Sequence, residues 1–91
     1  PGTVRVEVDN TITDFFTVVE VLATDRKGVL YDIAHELNVL GAEIHQARVA
    51  THPDHISDLF YVRDDTGGKI TDSERIEAIE DGIRRKLSET S

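Results

Sequence analysis

The chain contains no cysteine. With no thiols it has neither a disulfide framework nor a thiolate metal site. Basic residues are also in short supply: Lys and Arg number 10 against 18 Asp and Glu, for a formal net charge of -8. A nucleic-acid partner must be met by an excess of Lys and Arg, and an anionic membrane surface makes the same demand. The charge therefore argues against both as main partners. No apolar run approaches the roughly 18 residues of a membrane span, and no basic-then-apolar leader precedes the first polar stretch. A cytoplasmic setting is the expectation. The chain begins at Pro1 rather than Met and is expected to be a piece of a longer protein, its 91 residues forming one domain.

What is present is patterned. TVRVEVDN (3–10) alternates, with Val4, Val6 and Val8 on one face and Thr3, Arg5, Glu7 and Asp9 on the other, the period of a half-buried strand. FFTVVEVLA (15–23) is β-branched and aromatic and reads as a more central strand. Asp9-Asn10 favours a turn, so these two strands form a hairpin. From Val29 the period changes. Leu30, Ile33, Ala34, Leu37 and Leu40 make one stripe of an amphipathic helix, and Gly41 stands where a helix end needs positive φ.

AEIHQARVAT (42–51) returns to strand character, with Ala47, Val49 and Thr51 on one side and Gln46 and Arg48 on the other. HPDH (52–55) breaks it at Pro53, and ISDLFYVRD (56–64) is a further strand ending in the loop DTGGK (65–69). A second helix follows, capped by Thr71 or Ser73, with Glu74 placed for a capping box. Its stripe is Ile76, Ile79, Ile83 and Leu87, and Arg84, Arg85 and Lys86 fall in its last turns.

The order ββαββα, with two single-stripe helices, predicts an α+β fold. It is a ferredoxin-like two-layer sandwich whose four-stranded antiparallel sheet carries both helices on one face. The usual version ends on a strand. Here nothing after Leu87 can supply one, and the N-terminal strand takes that edge slot beside 15–23.

The run from 15 to 70 resembles an ACT domain, a small regulatory module that commonly binds amino acids. The resemblance is carried by FTVVEVLAT, DRKGVLYDI, LGAEIHQARVAT and DLFYVRD, in that order. Lys27 stands where the family favours proline. Together with the leading VRVEVDN and trailing TGGKI, the wording is most similar to the C-terminal ACT domain of bacterial uridylyltransferase/uridylyl-removing enzymes, which sense glutamine and modify the PII signalling protein. The resemblance implies an effector site built from Asp25, Arg26, Gly28, Val29 and Leu30 facing Leu40, Gly41, Ala42, Glu43 and Ile44 of a neighbouring domain. In it Arg26 pairs with an α-carboxylate and Asp25 or Glu43 with an α-ammonium. From the residues alone, Gly28 before a helix allows close backbone approach to a ligand, or merely completes a turn, and Asp25 serves equally as a helix cap.

Other chemistry is poorly served. His45, His52 and His55, with Asp54 and Asp58, raise the idea of a metal, but a proline turn splits HPDH and no fourth ligand is defined. His35 lies off the apolar stripe and is read as solvated. No nucleophile elbow and no glycine-rich anion loop with a following arginine, as an acylphosphatase-like enzyme would need, is evident. The chain itself is read as non-enzymatic and without a cofactor, although the resemblance implies a parent enzyme that needs Mg2+. RNA recognition on the open sheet face would need stacking aromatics in a basic surround. That face instead carries Arg5, Glu7, Glu20, Gln46, Arg48, Leu59, Tyr61 and Arg63.

The strand at 43–51 is expected at a sheet edge, a template for a second ACT domain as homodimer or in cis, joined near Gly41 to Gln46. The alternative function is a pairing module, for another ACT domain or PII, that binds no small molecule.

Overall fold

The computed structural model describes residues 4–89. Its elements are β1 (Arg5–Asp9), β2 (Thr17–Ala23), α1 (Val29–Val39), β3 (Glu43–Thr51), β4 (Ile56–Arg63) and α2 (Ser73–Ser88). One antiparallel sheet has the order β1-β2-β4-β3, so β1 fills one edge slot beside β2 and β3 forms the other edge. This is the expected ferredoxin-like α+β architecture. Thr3, assigned to the first strand from its pattern, lies outside the described residues.

The pleat sorts the side chains. On β4, Ile56, Asp58, Phe60 and Val62 are buried while the residues between them are only half-buried. Register places Val19 beside Phe60 and Val21 beside Asp58, and Val6 lies beside Val21 on the same face. Val29, Ile33 and Leu37 of α1 and Ile79, Ile83 and Leu87 of α2 close that face into one core. Each large apolar side chain so buried stabilises the fold by about 1.5–3 kcal/mol.

Several boundaries differ from the sequence expectation. The inner stripe of α1 starts at Val29, not Leu30, which stays 42% exposed. Val29, Ile33 and Leu37 recur at four and so hold one face, while Leu30 lies about 100° further round. β2 begins at Thr17 rather than at position 15, because the Thr13 hydroxyl oxygen accepts the N–H groups of Phe15 and Phe16, each at 2.9 Å, and turns the chain there. The N-cap of α2 is Asp72, not Thr71 or Ser73. Its carboxylate accepts the Arg75 N–H at 3.1 Å, and a negative charge at the positive end of a helix outcompetes a hydroxyl. Arg84 leaves the helix end to bond Asp81 at 3.1 Å and the Val6 carbonyl at 3.2 Å, tying α2 to β1.

Gly41 behaves as expected, with φ +81. The Ala42 N–H reaches the Leu37 carbonyl at 2.9 Å and the Gly41 N–H that of Asn38 at 3.1 Å, the paired bonds of a Schellman ending.

Candidate functional site

β2 leaves the sheet at Ala23, and the loop through Asp25, Arg26 and Lys27 delivers Gly28 to the N-cap of α1. Gly28 has φ +83 and ψ 0. A Cβ there would find only the Arg26 Nη1, at 3.7 Å. The requirement for glycine is therefore conformational rather than steric. No side chain caps this helix start. The Asp32 N–H makes the first full-turn bond, to the Gly28 carbonyl at 2.9 Å, so the N–H groups of Leu30 and Tyr31 have no intrahelical acceptor. Two donors and the positive end of the helix dipole thus face outward beside a residue without a side chain, a seat for a carboxylate.

Arg26, expected to meet such a carboxylate, is already engaged. Its Nη2 donates to Asp32 Oδ2 at 2.7 Å and its Nη1 to the Lys27 carbonyl at 3.0 Å, with both side chains of the ion pair largely buried. It latches the loop to the first turn of α1. The donors left at this end belong to the backbone rather than to a guanidinium.

The expected site residues fall in two separate groups. Asp25, Arg26, Gly28, Val29 and Leu30 stand at the N-terminal end of α1. Leu40, Gly41, Ala42, Glu43 and Ile44 stand at its other end, across an 11-residue helix about 16 Å long. A single chain does not bring them together. At the second end Arg75 of α2 donates to the carbonyls of Leu40 at 3.3 Å and Gly41 at 3.4 Å, a pin that the sequence pattern gave no sign of. All nine residues of β3 are exposed, including Ile44 and Val49, and a bulge at His45 interrupts the register between Ile44 and Gln46.

Asp58, named beside the histidines when a metal was considered and set aside, is a residue of the core. It sits in the helix-facing layer of β4, 1% exposed. Its Oδ1 accepts the Ala50 N–H at 3.3 Å, and its Oδ2 is buried with no hydrogen-bond partner among the described residues. Burial, assisted by the neighbouring charge of Asp25, pushes its carboxyl above the usual carboxylate range, against the opposing effect of the Ala50 N–H.

The histidines do different work. His52 and His55 stack at 4.5 Å, and His55 Nδ1 lies 2.8 Å from Asp54 Oδ1, a contact that holds the Asp54 carboxyl below its usual range. His45 packs on Phe16 at 5.5 Å, and exposed His35 stacks on Tyr31 at 5.7 Å. Among the described residues no three His, Asp or Glu side chains converge to hold a metal ion. On the open sheet face the Arg63 guanidinium lies 4.3 Å over the Phe16 ring, with Tyr61 edge-on to that ring. No helix among the described residues is long and apolar enough to cross a membrane.

This topology, with a glycine-led helix start at the end of β2, is that of an ACT-type module. Residues 5–90 match the family described as ACR9-like, ACT-like domain, and the chain belongs to it. Among curated proteins it is similar to bifunctional uridylyltransferase/uridylyl-removing enzymes. That of Gluconobacter oxydans is 38% identical over 84 residues, covering 92% of this chain and 9% of that protein. Those of Azospirillum brasilense and Rhodospirillum rubrum are each 34% identical, covering 96% and 94% of this chain. The chain spans 9% of the length of each of these relatives. No solved structure matches it.

Proposed function

We propose that this domain senses a free amino acid, glutamine by its likeness to the uridylyl-transferring enzymes, and thereby regulates a larger cytoplasmic enzyme. The regulated activity is the addition and removal of uridylyl groups on the PII protein, in catalytic domains elsewhere that need Mg2+. The observation carrying this reading is Gly28 at φ +83 on an uncapped helix start. There the Leu30 and Tyr31 N–H groups would hold the effector's α-carboxylate. A second ACT domain, as another copy or in cis, would supply the Leu40–Ile44 half by lying along exposed β3.

Binding would favour one paired arrangement over another, by no more than the effector's difference in affinity for the two; such couplings amount to about 1–3 kcal/mol. The complete exposure of β3 also supports a second reading, a pairing module without an effector.

Calorimetric titration with glutamine, against histidine, serine and glutamate, separates the two once sedimentation has fixed the pairing state. Saturable, glutamine-selective heat that is lost in Gly28→Val supports sensing. A folded, paired domain giving no heat with any amino acid supports the pairing module.

A further inference from the structure

Antiparallel register lays out the open sheet face in rows that cross all four strands. One of these rows reads Glu7, Glu20, Leu59, Arg48 from β1 to β3. Its two glutamates stand directly opposite each other, which costs free energy unless a cation intervenes. Arg5 meets Glu7 at 3.1 Å, but no ion pair among the described residues includes Glu20. At the far end of the row Arg48, on exposed β3, is likewise without a carboxylate. The face is therefore acidic on its β1 side and basic on its β3 side.

The acidic side is also hollow. A depression of about 220 Å³ lies between Arg5, Glu7, Glu20 and Leu22. The adjoining row, Arg5, Leu22, Ser57, Ala50, carries its large side chains on the β1 side and its small ones on the β3 side. A two-fold axis along the strands, between β2 and β4, lays β1 of one copy over β3 of another. Arg48 then stands over the partner's Glu7, at the hollow, while Arg5 and Leu22 meet the partner's Ala50 and Ser57. Acid meets base and large meets small, each of them twice, as a self-complementary contact requires. An axis across the strands would instead set Glu7 on Glu7 and Arg48 on Arg48.

We propose that the open sheet face docks a second copy of this chain, sheet on sheet about the axis along the strands, with Arg48 of each copy seated between the partner's Glu7 and Glu20. Stacked sheets lie about 10 Å apart, a gap that facing side chains fill by interdigitating. The Arg48 guanidinium brings five donors to two carboxylates that share only Arg5 within one chain. Half-buried Leu22 and Leu59 lose their remaining contact with water at the centre. The contact leaves the β3 edge open and needs no effector, so it stands apart from both readings of function given above.

Sedimentation equilibrium over a concentration series tests it. Arg48→Glu adds another acid to the hollow, and Glu20→Arg turns the hollow basic. Each is expected to weaken self-association about a hundredfold, since every substitution acts twice in a two-fold contact. Mixing the two variants re-creates one native and one reversed pairing, and association is expected to return. Circular dichroism confirms that each variant is folded. Should a charge reversal unfold the chain, Glu20→Gln and Arg48→Gln are expected to weaken association in the same direction. A native chain that stays monomeric up to about 1 mM overturns the contact. So does association that ignores the changes at Glu20, or a mixture that associates no better than its parts. Loss of association with Val49→Lys alone assigns pairing to the β3 edge and overturns the face.

Discussion

The Thr17 hydroxyl oxygen accepts the backbone N–H of Ile70 at 2.8 Å, and both residues are buried. The same hydroxyl donates to Asn10 Oδ1 at 2.6 Å, while Asn10 Nδ2 donates to the Ile70 carbonyl at 2.8 Å. This closed ring ties the first hairpin to the loop before α2. Thr17→Val keeps the shape but orphans the Ile70 N–H, and is expected to cost about 1–3 kcal/mol in urea unfolding with an unchanged denaturant slope.

Replacing Gly28 tests backbone conformation, because the site has room for a Cβ but its φ is positive. Gly28→Val is expected to destabilise by about 1–2 kcal/mol, and Gly28→Asn by less, since asparagine tolerates this region. Thermal unfolding ranks the two. Effector heat should disappear in the valine variant.

Asp58 predicts an inverted pH response. Its proton is held more tightly in the folded chain than at the ordinary value of 3.8. The folded state therefore binds more protons through that window, and this residue's contribution falls as pH rises above it. Asp58→Asn is expected to be about 1–2 kcal/mol more stable than the native chain at neutral pH. The gap should close in acid. Parallel denaturant curves at pH 7 and pH 3 measure it.

Asp64 has the opposite sign. The N–H of Gly68 and the hydroxyl and N–H of Thr66 bond its Oδ1 and hold its carboxyl below the usual range. Its contribution is complete above the ordinary carboxylate value and fades as pH falls through the lowered one. Asp64→Ala should be the less stable protein at neutral pH and match the native chain in strong acid, as read by thermal unfolding across that range.

The open edge can be tested by charge. Val49→Lys places an ammonium on exposed β3, and if this edge pairs with a second domain the self-association constant should fall by tenfold or more, about 1.4 kcal/mol. Sedimentation over a concentration series gives the answer.

Periodicity carried the fold, because one-sided burial writes itself as a period of two or of three to four. Val6 and Val8, then Ile33 and Leu37, announced their faces directly. Gly41 was legible for a related reason, since a helix end needing positive φ has few residues to choose from. What periodicity does not encode is which of two adjacent polar groups wins a backbone bond. Asp72 capping α2 in place of Thr71 or Ser73 was settled by geometry at the loop. The engagement of Arg26 with Asp32 was equally hidden, being a choice among several partners of the same charge. Alternation with Leu59, Tyr61 and Arg63 on the open face puts Asp58 on the buried one; what the pattern does not encode is that its Oδ1 takes the Ala50 N–H of the edge strand.

Helix α1 is fastened at both ends to different parts of the molecule. The Arg26–Asp32 pair clamps its start to the loop from β2, and Arg75 grips the carbonyls of Leu40 and Gly41 at its finish. The two fastenings stand about 16 Å apart, so α1 ties the loop after β2 to the foot of α2 and the root of the edge strand.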